Sequence, residues 1–165
     1  HTWHANIIAE NFARKTGGTY CLLNAPILLQ NKEICDLFKK EPSISQILKK
    51  GRSCNVALVG IGEVNLSSTS YLGGAFSESD AANLTSQNAA ASVCTSYISR
   101  DGKILKTDLN SRSIGISLDE LKDTTIIAVS TGREKIDAVK AVLQSGYIDI
   151  FMTSMDTAAE LLEDK

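Results

Sequence analysis

Three short segments of the sequence carry residue types that can bind an anion. They are Gly60-Ile61-Gly62, Ser130-Thr131-Gly132-Arg133 and Thr153-Ser154. Glycine and hydroxyl residues let backbone N–H groups approach a ligand closely, and a helix that begins at such a turn attracts a phosphate or a carboxylate. The same residue types are common in plain turns between a strand and a helix. Residue types alone therefore leave two interpretations open, an anion site and a structural turn.

Lys135 follows the second of these segments, in the first turn of a predicted helix. The dipole of a helix opposes a positive charge at this end, so the lysine needs a compensating interaction. A bound anion would supply one, and so would a surface ion pair with Glu134 or Asp137. We therefore treat Lys135 as the candidate anion contact, with the surface ion pair as the alternative.

Patterns for catalysis and metal binding are weak. His1 and His4 are the only histidines, and the sequence has neither a G-x-S-x-G elbow nor a Walker loop. The segment "GIGEVN" lacks the third glycine of the dinucleotide-binding fingerprint. The cysteines are Cys21, Cys35, Cys54 and Cys94, and they form neither a C-x-x-C pair nor a zinc-binding spacing. We expect them to be reduced thiols of a cytoplasmic protein. No catalytic residue, metal ligand or cofactor is predicted.

Alternating helices and strands are predicted to position the three segments. Apolar residues at helical spacing predict a first helix that ends at Gly17-Gly18. Strands are predicted at residues 19–26, 54–64, 89–99, 103–109, 124–130 and 147–154, with a shorter one in 113–122. Further helices are predicted at residues 33–40, 42–51, 77–87, 133–144 and 155–165.

The arrangement of these elements predicts an α/β fold. The continuous apolar run at 54–64 predicts a strand buried on both faces of a parallel sheet, and Asp101-Gly102 predicts a hairpin turn. We therefore expect an open, three-layer, mostly parallel but mixed sheet with helices on both faces. Ligands of such sheets bind beyond the carboxyl ends of the strands, where all three segments fall.

Composition limits the domain count and the partners. A chain of 165 residues with 43% hydrophobic content can bury one core, so we expect a single domain. A formal net charge of −2 leaves no basic stripe for nucleic acid. No apolar run approaches the roughly 18 residues of a membrane-spanning helix, and no signal peptide is evident. We expect neither a membrane nor a direct DNA partner.

Four stretches of the chain resemble one known family. They are "LLNAP" at 22–26, "VALVGIG" at 56–62, and residues 111–143 and 148–162. They look like the effector-binding domain of the SorC family of bacterial transcriptional regulators, also called the DeoR-like sugar-binding domain. The resemblance implies a fold similar to glucosamine-6-phosphate deaminase, ribose-5-phosphate isomerase and coenzyme A transferase. It also implies that the protein forms a dimer or tetramer. A phosphorylated sugar or related metabolite would bind to it and alter both its oligomerisation and its affinity for the operator.

The resemblance also implies parts outside residues 1–165. A helix-turn-helix domain would contact the operator, and a first strand with a phosphate-binding loop would complete the effector domain at its N-terminus. By itself the chain is then expected to bind neither operator nor sugar phosphate as the family does.

The family's binding residues carry over in part. Lys135 matches the lysine of the family's GG-x-x-K turn, which points toward the ligand phosphate, and Thr131 and Gly132 stand at the two glycines. His4 matches a polar pocket position of some members. Ser92 stands where the family has an acid that contacts sugar hydroxyls.

The strand-end acid of the family is also absent, because its T-D-E segment is Thr153-Ser154-Met155 in this chain. With two carboxylates missing, the resemblance implies an effector that differs from a standard sugar phosphate or carries fewer hydroxyls. Together with Gly60 and Gly62, residues His4, Ser92, Thr131, Gly132 and Lys135 form the predicted ligand site.

Three functions are compatible with these residues. The prediction is a sensor domain without catalytic activity. The first alternative is an isomerase or deaminase of the same fold, which needs a carboxylate base where this sequence offers serine. The second is an oligomerisation domain that binds no ligand.

Overall fold

The computed structural model describes residues 5–64 and 77–163, and all structural statements below concern those residues. Its helices are α1 (Ala5–Thr16), α2 (Lys32–Lys40), α3 (Pro42–Arg52), α4 (Glu78–Ser86), α5 (Asp108–Ser111), α6 (Ile136–Gln144) and α7 (Met155–Glu163). Its strands are β1 (Val56–Gly60), β2 (Gly62–Glu63), β3 (Ala89–Val93), β4 (Ser96–Ser99), β5 (Ile104–Leu105), β6 (Thr125–Val129) and β7 (Ile150–Met152). Single 3₁₀ turns lie at Leu118–Leu121 and Arg133–Lys135.

Local sequence explains where several helices begin. The side chain of Asn31 accepts a hydrogen bond from the Ile34 amide and caps α2. Pro42 occupies the first position of α3, where its missing N–H costs nothing. Ser77 and Asp80 form a capping box that starts α4. The main predicted helices are confirmed.

The first sheet is entirely parallel and has the strand order β1-β6-β7. Its register places Gly60 beside Val129 and Val129 beside Met152, so all three strands end at one edge. One face packs against α6 in the main core, through Ala57, Val59, Ile126, Ala128 and Phe151. The predicted α/β class is therefore confirmed: a parallel sheet and helices bury a common core.

The second sheet is antiparallel and has the order β2-β3-β4-β5. Its β4–β5 hairpin turns at Asp101-Gly102, as predicted; Gly102 has a φ of +81° and the Ser99 amide donates to the Lys103 carbonyl at 2.9 Å. The prediction of one mixed sheet is wrong. Ile61, buried between β1 and β2, is the point where the chain passes from one sheet to the other.

Other strand predictions also differ from the structure. Residues 89–99 form two strands, because Cys94 adopts a φ of +56° and turns the chain between β3 and β4. Residues 19–26 form no strand; Leu23 and Ala25 pack instead against the cluster that α2 and α3 bury. The strand predicted within 113–122 is reduced to an isolated bridge between Ser113 and Leu28.

The second face of the parallel sheet carries apolar side chains that no described residue covers. Val56 is 54% exposed, Leu58 is 56% exposed, and Met152 is 54% exposed. The prediction that this strand is buried on both faces is therefore wrong for the described residues. The apolar run of β1 is typical of a strand that is buried on both faces, but the described helices cover only one side of the sheet.

Candidate functional site

The predicted anion-binding segments meet at one edge of the parallel sheet. β1, β6 and β7 end side by side, and the Ser130 amide donates to the Met152 carbonyl at 3.2 Å just beyond the strands. Gly60 is exposed there, and an added Cβ atom would meet nothing within 4 Å. The edge is therefore open enough for a ligand to approach the backbone.

Lys135 spans this edge. It lies in the 3₁₀ turn before α6, and its Nζ donates a hydrogen bond to the Ile61 carbonyl at 3.3 Å. The contact joins the start of α6 to the end of β1. In the described part of the chain, Lys135 forms no ion pair with either acid proposed from the sequence. Asp137 pairs with Arg100 at 2.7 Å, and the carboxylate of Glu134 lies against Gly132. The surface-pair interpretation of Lys135 is therefore wrong, and its ammonium group stays at the predicted edge.

Ser92 lies beside the same edge. It is the register partner of Gly62 across the β2–β3 pairing, and a Cβ atom on Gly62 would stand 2.7 Å from the Ser92 Oγ. Glycine at position 62 therefore leaves room for the hydroxyl of Ser92. Because Ile61 precedes Gly62, Lys135 and Ser92 approach neighbouring parts of one short segment.

The turn at Gly132 is held in place by α7. Gly132 has a φ of +113°, a conformation that favours glycine. Its amide donates to Oγ1 of Thr157 at 3.0 Å, and that oxygen lies 3.0 Å from the Ser154 hydroxyl. Ser154 Oγ also accepts a longer bond from the Thr157 amide at 3.4 Å. The predicted turn residue Thr131 is exposed beside this network.

Two buried hydroxyls at this edge have no hydrogen-bond partner among the described residues. They are Oγ of Ser130 and Oγ1 of Thr153, which follow β6 and β7. Ser130 is 5% exposed. Burying a hydroxyl without a partner costs free energy, so such groups are normally satisfied by protein, water or ligand. These hydroxyls are available to a polar ligand.

One residue at the edge was missed as a site residue. The carboxylate of Glu134 lies against Gly132, where it would overlap any added Cβ atom. From the sequence, Glu134 is predicted only as a possible ion-pair partner of Lys135. A negative charge at this turn would compete with an incoming anion. The fold-back of Glu134 has no sequence signal, since it depends on the conformation of Gly132.

The remaining site predictions have different outcomes. His4 lies outside the described residues. The described ranges contain no group of histidine, cysteine, aspartate and glutamate side chains suited to hold a metal ion. Among the same residues, none of the helices is long and apolar enough to cross a membrane.

Comparison with known proteins identifies relatives of the whole chain. The sequence model of a family described as "Putative sugar-binding domain" matches residues 1–163. The chain is 27% identical over 144 residues to the deoxyribonucleoside regulator of Bacillus subtilis, covering 86% of this chain and 45% of that protein. It is 28% identical over 161 residues to the central glycolytic genes regulator of Priestia megaterium, covering 97% of this chain and 45% of that protein.

A solved structure supports the same relationship. A DeoR family transcriptional regulator from Listeria monocytogenes matches with a TM-score of 0.88 and 29% identity, covering 96% of this chain and 64% of that chain. The chain spans about half the length of the curated relatives it matches.

Proposed function

The chain belongs to the family of sugar-binding domains found in SorC/DeoR-type transcriptional regulators, and we propose that it senses a small-molecule effector for such a regulator. The proposed effector is a phosphorylated sugar or a related metabolite. It would bind beyond the carboxyl ends of β1, β6 and β7. Residues 1–165 would be all or part of the effector domain, without a catalytic role.

The contact of Lys135 with Ile61 is the observation that carries this proposal. It holds a cation at the start of a nine-residue helix and at the end of β1. A phosphate placed there would gain the charge of Lys135 and the favourable end of the helix dipole. The hydroxyls of Ser130 and Thr153, which have no partner among the described residues, would supply hydrogen bonds for the rest of the ligand, and so would the hydroxyl of Ser92 next to Gly62.

The chemistry of the edge restricts the effector. Ser92 replaces the family acid that the resemblance places there, and Thr153-Ser154-Met155 replaces the second one. The carboxylate of Glu134 lies against Gly132 in the same turn. We propose that the bound anion must displace or avoid this carboxylate, which favours an effector different from the standard sugar phosphates of the family.

The proposed sensor acts within a longer protein. Its relatives are about twice as long, and their names describe transcriptional regulators. We propose that a separate DNA-binding part contacts the operator in the cytoplasm and that the regulator is a homo-oligomer. An effector that binds one assembly state more tightly shifts the equilibrium toward that state.

A binding screen tests the proposal. The full-length regulator is screened by thermal shift against sugars and sugar phosphates, with product formation assayed in parallel. We expect at least one phosphorylated compound to raise the melting temperature and none to be converted. The Lys135→Ala variant should need at least ten times more of that compound, whereas Lys122→Ala, which removes an exposed lysine elsewhere, should behave as the native protein.

Other outcomes would contradict the sensor. Ligand-dependent turnover would favour the isomerase or deaminase alternative. A complete absence of stabilisation would favour a domain that binds no ligand.

A further inference from the structure

A cavity of 370 Å³, lined by both polar and apolar residues, lies at the opposite end of the parallel strands. Its wall includes Arg52, which ends α3 shortly before β1, and Glu120, which lies shortly before β6. These residues precede the strands, whereas the proposed effector edge follows them. The volume falls within the range of roughly 300–1,000 Å³ that is common for small-molecule sites.

Four polar groups of this cavity make no hydrogen bond and no salt bridge within the described ranges. They are the ammonium groups of Lys39 and Lys106, the carboxylate of Asp119 and the hydroxyl of Thr95, which come from separate parts of the chain. The two ammonium groups outnumber the single carboxylate, Asp119, so these groups together favour an anion. The carboxylate and the hydroxyl can hydrogen-bond to ligand hydroxyls.

The charges on the adjacent wall are already paired. Nε of Arg52 donates to Oε1 of Glu120 at 2.6 Å, and Oε2 of Glu120 accepts from the Ser117 amide at 2.9 Å. The charges of Arg52 and Glu120 therefore largely neutralise each other. Ligand recognition would then depend on the four unpaired groups.

The cavity is bounded by closely packed backbone. The carboxamide of Asn110 accepts from the Thr107 amide at 2.8 Å and donates to the Thr95 carbonyl at 2.8 Å. A Cβ atom on Gly115 would overlap the side chain of Thr95, and one on Gly51 would stand 2.5 Å from Cδ1 of Ile116. These contacts hold Thr95, Asn110 and Gly115 of the cavity lining against their neighbours, which lowers the cost of ordering the site for a ligand.

We propose that this cavity is a second ligand site, which binds a small hydroxylated anion such as a sugar phosphate or a sugar acid. Lys39 and Lys106 would contact the anionic group, and Asp119 and Thr95 would contact hydroxyls. The site is independent of Lys135 and of the effector edge. It needs no residue outside the described ranges, so it is expected to work in the 165-residue chain itself.

Isothermal titration calorimetry of the 165-residue chain tests the second site. The probes are glucose 6-phosphate, gluconate, glucose and inorganic phosphate. We expect the first two to bind more tightly than the last two, because only they combine an anion with several hydroxyls. The double variant Lys39→Ala/Lys106→Ala should weaken glucose 6-phosphate binding at least tenfold.

Three controls locate the site. The double variant Lys49→Ala/Lys122→Ala removes two exposed lysines that do not line the cavity, and it should bind as the native chain does. The same titration of Lys135→Ala separates this site from the effector edge, because binding that persists in this variant and is weakened in Lys39→Ala/Lys106→Ala belongs to the cavity. Asp119→Asn should weaken glucose 6-phosphate binding while leaving phosphate binding unchanged.

Three results would each overturn the proposal. Absence of binding of both hydroxylated anions, equal weakening by the two double variants, or loss of binding in Lys135→Ala would each remove the cavity as a second site. Circular dichroism of every variant establishes that a lost affinity does not come from a lost fold.

Discussion

At the residue scale, the sequence predicted which residues meet but not how they meet. Gly62, Ser92 and Lys135 are far apart in the chain and lie at one edge in the structure. The location of Gly62 and Lys135 followed from a general property of parallel sheets, whose ligand sites lie at the carboxyl ends of strands, whereas Ser92 was implied only by the family resemblance. The bond from Lys135 to Ile61 and the fold-back of Glu134 depend on side-chain conformations that no residue pattern encodes.

Gly132 provides a test of the turn geometry. Alanine at this position would adopt an unfavourable φ and overlap the carboxylate of Glu134. We expect Gly132→Ala to lower the free energy of unfolding by about 2 kcal/mol. Gly60→Ala is the matched control, since its Cβ atom meets nothing within 4 Å, and it should stay within about 1 kcal/mol of the native value. Urea unfolding measures both; equal losses would contradict the assigned turn.

At the element scale, local sequence signals correctly predicted where several helices begin. Packing and backbone conformation determined the strand boundaries that the sequence did not predict. Pro42, Asn31 and the Ser77–Asp80 box each mark a helix start with a defined physical cause. Residues 19–26 are as apolar as a strand, yet they pack against α2 and α3 without pairing. The turn at Cys94 requires a positive φ that non-glycine residues seldom adopt, so the sequence predicted one strand where there are two.

Arg112 connects several elements through side-chain contacts, and the sequence did not predict these contacts. Its side chain is 13% exposed and pairs with Asp80 of α4 and, at 2.8 Å, with Asp108 of α5. It also donates to the Leu29 carbonyl at 3.2 Å. Burial alone would raise the pKa of Asp80, but hydrogen bonds from Ser77 and the guanidinium of Arg112 outweigh it and lower the pKa below its ordinary value. The stabilisation from ionised Asp80 is therefore present at neutral pH and lost as the pH falls through that lowered pKa.

Removing Arg112 should therefore be costly. We expect Arg112→Ala to lower the free energy of unfolding at neutral pH by about 3 kcal/mol, because it leaves the carboxylate of Asp80 poorly solvated and unpaired. Arg100→Ala breaks an ion pair whose side chains are 59% and 64% exposed, and it should cost under about 1 kcal/mol. Denaturant unfolding at pH 7 distinguishes the two. Similar costs would show that Arg112 does not connect these elements.

At the scale of the whole molecule, the parallel sheet has one apolar face that no described residue covers. Parallel sheets are normally buried on both faces, which is why β1 has a continuous apolar sequence. The sequence correctly predicted an apolar strand at β1, but the described helices bury only one of its two faces. The curated relatives are about twice as long as this chain.

The uncovered face has a measurable consequence for the 165-residue chain. We expect the chain to bind the hydrophobic dye ANS, and the double variant Leu58→Lys/Met152→Lys to reduce the fluorescence at least twofold. Ile27→Lys, which changes a side chain that is 63% exposed away from the sheet, should leave the signal near its native value. Equal reductions would mean that the dye does not report on this face.

Binding of an effector at the edge held by Lys135, with a resulting change in operator binding, is the proposed function of the chain. It is tested most directly by measuring the affinity of the full-length regulator for its operator while the stabilising sugar phosphate is titrated. We expect the native protein to respond and Lys135→Ala to require at least ten times more effector, with unchanged operator affinity when effector is absent. An identical response of the two proteins would contradict it.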